Sequence, residues 1–167
     1  MVVIASLLPK DPQTQLIPAL QSYWLEIHVS MAILAEGAFA IAFAAGLLFL
    51  LKEKRAESPG FFSRVPTLDS LDRVSFRAVA VGYPLFTAGA LLAGAVWAYE
   101  AWGAFWSWDP KEVGALIVWF IYTAYLHARL THGWRGRRAA ILAIIGFAVA
   151  VLSFLGNLFL PGLHSYV

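Results

Sequence analysis

Four long apolar runs separated by short polar stretches give the chain its pattern. Each run has the roughly 20 apolar residues that an α-helix needs to cross a hydrocarbon core. Ser22 can cap the first helix, and Pro84 with several glycines predicts a kinked, closely packed second helix. The pattern predicts membrane-spanning helices over about 24–51, 76–98, 110–130 and 139–160.

The segments outside these helices have patterns of their own. Residues 1–21 contain prolines that break a long helix, so we predict an irregular, weakly amphipathic segment on the outer membrane surface. Residues 68–73 predict a short surface helix. Asp109, Pro110 and Glu112 have the spacing of an N-cap, a first-turn proline and a capping-box acid at a helix start. Residues 22–167 are expected to form one membrane domain.

Composition agrees with this interpretation. Of the 167 residues, 60% are hydrophobic and 13% are charged, against about 45–50% and 25% in soluble domains. We predict an all-α integral membrane protein with about four transmembrane helices. The sequence contains no cysteine, which excludes thiolate ligands and a CxxCH haem-attachment site from this chain. The basic residues cluster in two loops and give no reason to expect a nucleic-acid partner.

Charge orients the helices in the membrane. Of the 12 Lys and Arg residues, six lie between the first two predicted spans or at their edges, and four lie between the last two. Because basic loops stay on the cytoplasmic side, we predict that the loop before Asp109 and both termini lie on the outer face. His28 and His164 then flank that loop on the same side of the membrane.

The loop between the second and third spans is unusually aromatic. Half of positions 97–108 are aromatic, and four of the seven tryptophans occur there, namely Trp97, Trp102, Trp106 and Trp108. An interfacial belt needs only one or two rings per helix end, so this tryptophan-rich loop is interpreted as a surface for a flat ligand. Two flanking histidines suggest bis-imidazole haem, with His28 and His164 as axial ligands.

Three other polar residues are candidates with simpler explanations beside them. Glu36 is an acid within the first predicted span, which makes it a functional candidate, although a hydrogen-bonded or protonated glutamate is an ordinary alternative. Lys111 is the cation beside the tryptophan-rich loop and could pair with a haem propionate. His132 lies in a predicted cytoplasmic loop and is interpreted as solvated.

The motif WGAFWSWDPKE, residues 102–112, resembles the WWD signature WGxxWxWDPKE. That signature marks the haem-handling proteins of cytochrome c maturation, the CcsA/ResC, CcmC and CcmF group. The stretches QSYWLEIHVS at 21–30, YLHAR at 125–129 and GLHSY at 162–166 resemble the CcsA type in particular. Members of the CcsA type are longer, and this chain corresponds to their C-terminal half.

The resemblance implies a cofactor and a set of site residues. Haem b would be held on the outer face between His28 and His164, against a surface that includes Trp97, Trp102, Trp106, Trp108 and Asp109. His127 matches an inner histidine at which haem is taken up, although a histidine near the inner interface whose side chain reaches toward water is an ordinary alternative. The capping positions of Asp109 and Glu112 leave a purely structural reading open for the acidic end of the motif.

The resemblance also implies partners and a location. The haem would be attached to the CxxCH of apocytochrome c, with a CcsB/ResB-type membrane protein supplying the second inner ligand and thiol-reducing proteins supporting the reaction. The chain would be part of a cytochrome c haem-lyase complex in a bacterial plasma membrane or a thylakoid, and no residue of this chain need act as acid, base or nucleophile there. A CcmC-type haem export or chaperone-delivery subunit is one alternative. A b-type electron-transfer subunit is another, and it would instead hold haem between histidines within the bilayer.

Overall fold

A computed structural model describes residues 21–55 and 64–156, and within these ranges the chain consists of helices and connecting loops without a β-strand. Helix α1 covers Tyr23–Lys54, and helix α2 covers Leu68–Phe86. A π-helical segment, Thr87–Ala93, follows α2 directly and continues into α3, Gly94–Trp102. Helix α4 covers Pro110–Thr131, and α5 covers Arg137–Gly156.

In the described part of the chain, four helical rods are long and apolar enough to cross a membrane. They are α1, the continuous rod Leu68–Trp102, α4 and α5. The predicted class, an all-α membrane protein with about four spanning helices, is therefore confirmed. Residues 1–20, the C-terminal part of the predicted fourth span and His164 lie outside the described residues.

The second rod begins earlier than predicted. Residues 68–73 are not a separate surface helix but the first turns of α2. This part of α2 is amphipathic, and Leu71, Asp72 and Ser75 are buried on its inner side. Asp72 can be buried because Arg129 of α4 donates two hydrogen bonds to its carboxylate, at 2.7 and 2.6 Å. A search for purely apolar runs cannot find a turn whose inward side chain is a paired acid.

The core lies where α1, α2, α4 and α5 meet. Phe39 is fully buried there, stacks on Tyr122 with ring centroids 3.8 Å apart and lies 5.6 Å from the Phe86 ring. Gly82 and Gly146 let two helices approach these rings closely. A Cβ atom at Gly82 would lie 2.9 Å from the Phe39 ring, and one at Gly146 would lie 2.8 Å from the Tyr122 ring.

The bundle has two different ends. The basic end holds the last turns of α1 and α4 and the first turns of α2 and α5, with most of the described Lys and Arg residues. The aromatic end holds the first turns of α1 and α4, helix α3 and the loop 103–109. In the half nearer the basic end, α1 and α5 are in close contact, because a Cβ atom at Gly46 would lie 3.1 Å from the carbonyl oxygen of Ala140.

Candidate functional site

A cavity of about 680 Å³ opens at the aromatic end, with walls from all four rods and from the loop 103–109. Its lining is predominantly apolar, with aromatic rings from Phe86, Trp97, Phe105, Trp106, Phe147 and Phe154. The polar side chains that line it are His28, Glu36, Lys111, Glu112 and Ser153. Flat apolar walls with one imidazole, one ammonium group and two carboxyl groups suit a flat, largely apolar ligand with a few polar groups.

His28 is fixed in this wall by a hydrogen bond to the backbone. Its Nδ1 atom lies 2.9 Å from the carbonyl oxygen of Gly89. A carbonyl can only accept, so Nδ1 is the nitrogen that carries the proton and donates. The Nε2 atom of the neutral ring therefore keeps the lone pair with which an imidazole binds a metal.

The π-helical segment makes that contact possible. Gly94 donates its N–H to the carbonyl of Gly89, five residues earlier, which is the spacing that defines a π-helix. The same carbonyl accepts from His28. Gly89 has to be a glycine at this point, because a Cβ atom there would lie 2.3 Å from the Cβ of Met31 on α1. The close approach of the two backbones brings the His28 ring within reach of the carbonyl.

Two neighbours restrict the plane of the His28 ring. Trp97 lies parallel to it, with an interplanar angle of 6° and ring centroids 6.1 Å apart. Gly94 lies against the ring edge, since a Cβ atom there would be only 2.8 Å from Nδ1. Parallel offset rings at this separation attract one another. The imidazole is thus oriented by a hydrogen bond, a ring stack and a steric boundary together.

The tryptophan-rich loop is framed by two left-handed residues. Gly103 ends α3 with φ of +77°, which glycine adopts without strain. Trp108, which precedes the N-cap residue Asp109 of α4, has φ of +60° and is the one non-glycine residue with positive φ in the described ranges. A bulky residue in this conformation costs free energy and persists only where its surroundings impose it.

The start of α4 provides that constraint. Asp109 accepts a hydrogen bond from the Lys111 N–H at 3.0 Å. Glu112 accepts from the N–H groups of Ser107 and Asp109, at 2.8 and 3.2 Å. These contacts form the predicted capping box, with Pro110 in the first turn. The predicted helix start is confirmed, and the acidic end of the motif frames the loop.

The tryptophans are distributed over different environments. Trp97 and Trp106 line the cavity. Trp102 packs edge-on against Trp97 at 4.9 Å, behind the cavity wall. Trp108 is 71% exposed and lies edge-on to Trp106 at 5.8 Å. Asp109 is buried and does not line the cavity.

His127 lies far from this cavity. It is exposed near the basic end, on the last turns of α4, and its ring centroid is 5.4 Å from that of His132. Among the described residues no group of three or more His, Cys, Asp or Glu side chains could hold a metal ion. The structure therefore brings His28, Trp97 and Trp106 together with Lys111, and leaves His127 at the opposite end of the bundle.

Sequence reasoning did not single out Gly89 and Gly94 as residues that position His28. Their spacing of five residues is a weak signal, because helices that pack closely also contain small residues at many spacings. It also missed the Asp72–Arg129 pair. From the sequence, Arg129 indicated only that the third predicted span ends on the cytoplasmic side, and nothing linked it to Asp72.

Comparisons with known proteins extend this picture. The profile of the family described as cytochrome C assembly protein matches residues 1–164. The chain is 45% identical over 164 residues to a protein of Chlamydomonas reinhardtii named cytochrome c biogenesis protein CcsA. The matched region covers 95% of this chain and 45% of that protein. Proteins of the same name from Gloeothece citriformis and Guillardia theta are 40% and 43% identical, over 95% of this chain in each case.

The chain spans only part of each relative, 63% of the Gloeothece protein and 60% of the Guillardia protein. The family profile nevertheless extends over nearly the whole chain. The similarity to CcsA that the tryptophan-rich motif predicted is confirmed, and the chain belongs to the cytochrome c assembly protein family.

Proposed function

We propose that this chain is a haem-handling subunit of c-type cytochrome biogenesis, which holds haem b in the cavity at the aromatic end for attachment to the CxxCH of an apocytochrome c. His28 is the iron ligand supplied by α1, and His164 is the second ligand. The names of the curated relatives support the process, because each is called a cytochrome c biogenesis protein. The residues of the cavity support the cofactor.

One observation carries the proposal. The hydrogen bond from His28 Nδ1 to the Gly89 carbonyl leaves Nε2 as the unprotonated nitrogen of a half-buried imidazole in the cavity wall. A histidine that was merely solvated would not need a backbone acceptor 61 residues away in sequence. Histidines that bind metals commonly donate their second ring nitrogen to a carbonyl in this way.

The cavity also fits the size and character of the group. Its volume of about 680 Å³ lies in the range of ~300–1,000 Å³ that holds cofactor-sized ligands. Aromatic rings line it on several sides, and Lys111 is the cation among the described lining residues. Lys111 is suited to a propionate carboxylate. When bound, haem supplies a redox-active iron and the two vinyl groups to which cysteine thiols add.

The residues of this chain then bind the haem, orient it and exclude water from it. His28 lies in the second turn of α1, and its ring is kept in one orientation by Gly89 and Trp97. Phe105 and Trp106 bring the loop over the cavity. A histidine near a helix end can be replaced by another ligand without unfolding the spanning part of its helix. This suits a site that releases its cargo.

The remaining assignments follow from the family and the charge pattern. We propose that the aromatic end faces the outer side of a plasma or thylakoid membrane and that the basic end faces inward. A CcsB/ResB-type protein is the proposed partner, with His127 at the basic end as the residue at which haem is taken up. Trp102, Trp108 and Asp109 then shape the loop, while Trp97 and Trp106 contact the haem.

The direct test is a haemin titration of the purified chain in lipid nanodiscs, followed by Soret absorbance. His28→Ala should weaken binding by about tenfold or more, and added imidazole should restore the low-spin spectrum. His132→Ala is the matched control, because its ring lies at the basic end. Unchanged affinity and spectrum in His28→Ala would refute the ligand assignment.

A second test separates attachment from delivery. The chain is co-expressed with a CcsB-type partner and a reporter apocytochrome that carries one CxxCH, and covalent haem is detected by haem staining. Loss of covalent haem in His28→Ala, with normal levels of both membrane proteins, is the expected result. Covalent haem that depends on a soluble haem chaperone instead would favour the CcmC-type alternative.

A further inference from the structure

Among the described residues, three buried hydroxyl groups in the interior make no hydrogen bond of normal geometry. They belong to Tyr122 and Tyr125 of α4 and to Ser75 of α2, which are 0%, 1% and 3% exposed. The Ser75 hydroxyl lies close to that of Tyr125. A buried hydroxyl without a partner costs about 1–3 kcal/mol, so three in one region require an explanation.

These hydroxyls lie in a row between two charged sites. Tyr122, Tyr125 and Arg129 are three and four residues apart on α4 and therefore share one face of the helix. On α2, Asp72 and Ser75 are likewise three residues apart. At a rise of 1.5 Å per residue, the row from Tyr122 to Arg129 covers about 10 Å along the bundle.

The Tyr122 end of the row lies nearer the cavity, since Val118, one turn earlier on α4, lines it. Phe39 stacks on Tyr122 at 3.8 Å, and Glu36 lies one turn before Phe39 on the same side of α1. Glu36 lines the cavity. The other end of the row is the Asp72–Arg129 pair, whose side chains are each 8% exposed.

The Asp72–Arg129 ion pair is held firmly in place at that end of the row. Asp72 accepts two hydrogen bonds from Arg129 and a third, at 2.8 Å, from the N–H of Gly136. The guanidinium group of Arg129 also lies over the Phe76 ring, 4.9 Å from its centroid. These contacts tie α2, α4 and the loop before α5 together where the interior meets the basic end.

We propose that ordered water occupies the interior between Glu36 and the Asp72–Arg129 pair, held by the hydroxyls of Tyr122, Tyr125 and Ser75, and that the ion pair closes this water file at the basic end. Water is the ligand that fits, because each hydroxyl can both donate and accept and a buried water typically makes about three such bonds.

The closure follows from the same geometry. An open file across the bundle would conduct protons through the membrane. Three hydrogen bonds hold the Asp72 carboxylate, and a buried arginine does not give up its proton, so the pair cannot relay a proton toward the basic end at low cost. The chain can therefore hold a hydrated interior without leakage.

The occupancy of the file is tested on the ligand-free chain in lipid nanodiscs by X-ray hydroxyl-radical labelling in H₂¹⁸O, with mass spectrometry of the products. Buried tyrosines next to ordered water should gain ¹⁸O at rates similar to that of Tyr99, which is 51% exposed. Phe49, buried in a second apolar cluster that does not include the row, is the control and should stay unlabelled. If Tyr122 and Tyr125 also stay unlabelled while Tyr99 reacts, the interior is dry and the proposal is overturned.

The closure is tested in proteoliposomes with a pH-sensitive dye. Wild-type vesicles should be tight to protons, and Asp72→Asn should raise the leak by about tenfold or more, equal to ~1.4 kcal/mol. Adding Tyr125→Phe to Asp72→Asn should reduce the leak again. Adding Tyr83→Phe instead is the matched control, because the Tyr83 hydroxyl bonds Thr123 outside the row. A folded Asp72→Asn variant that stays tight, or equal effects of both phenylalanines, would refute the closure.

Discussion

The position of His28 can be perturbed from a neighbouring helix by adding one methyl group at Gly94. A Cβ atom there would lie 2.8 Å from His28 Nδ1 and 2.9 Å from Cε1. Ordinary van der Waals contact begins at 3.4 Å, so in Gly94→Ala the ring has to move by about 0.6 Å. Trp97 lies parallel to the ring and restricts how it can move.

The expected loss can be worked out from the hydrogen bond to Gly89. If the displacement adds fully to its 2.9 Å length, the distance becomes about 3.5 Å, at the limit where a hydrogen bond is lost. Such a bond contributes about 0.5–1.5 kcal/mol, and loss of an orienting bond to a metal-binding histidine typically costs about 10–100-fold in affinity. We expect Gly94→Ala to weaken haemin binding by about tenfold.

The assay combines two measurements. Haemin titration in nanodiscs gives the affinity, and ¹⁵N solid-state NMR of histidine-labelled protein gives the tautomer of His28 without haem. Gly82→Ala is the matched control, because its Cβ atom would meet the Phe39 ring at 2.9 Å and leave His28 untouched. Equal losses in Gly82→Ala and Gly94→Ala, or an unchanged tautomer with unchanged affinity in Gly94→Ala, would refute the positioning argument.

Two further substitutions test the ends of the bundle. Arg129→Met should lower the stability in nanodiscs by about 3–5 kcal/mol, because it leaves Asp72 buried without its partner. The double variant Asp72→Leu/Arg129→Met should recover most of this loss in a thermal melt. A double variant no more stable than the single one would contradict the reasoning. Glu112→Ala should lower the stability by about 1 kcal/mol and increase the quenching of loop tryptophan fluorescence by acrylamide. Glu112→Gln keeps an acceptor for the capping box and should have a smaller effect. Equal effects of the two substitutions would contradict the conclusion that Glu112 holds the loop in place.

Much of the fold could be predicted because it depends on local properties of the chain. The length of an apolar run fixes whether a helix can cross the membrane, and predicted span edges agree with α1 and α4 to within a few residues. The start of α4 could be predicted from Asp109, Pro110 and Glu112 alone, since a capping box uses residues three apart. Nothing in these features depends on a distant part of the chain.

The parts that could not be predicted depend on contacts between helices. The length of the second rod depends on Asp72 meeting Arg129, 57 residues away. The π-helical segment depends on the close approach of Gly89 to Met31 on another helix. The same holds for the candidate site, where the sequence indicated His28 and the tryptophans but not which rings line the cavity. Trp97 stacks on His28, whereas Trp108 faces away, although both belong to one aromatic stretch.

The close contact of α1 and α5 at Gly46 is a point about which α1 can rotate. Gly46 lies 18 residues from His28 along α1, about 27 Å at 1.5 Å per residue. A rotation of only about 2° about that contact therefore displaces the histidine end of α1 by roughly 1 Å, while the Gly46–Ala140 contact stays in place. Small rotations of α1 about this contact are therefore larger at the aromatic end, where the cavity opens, than at the basic end.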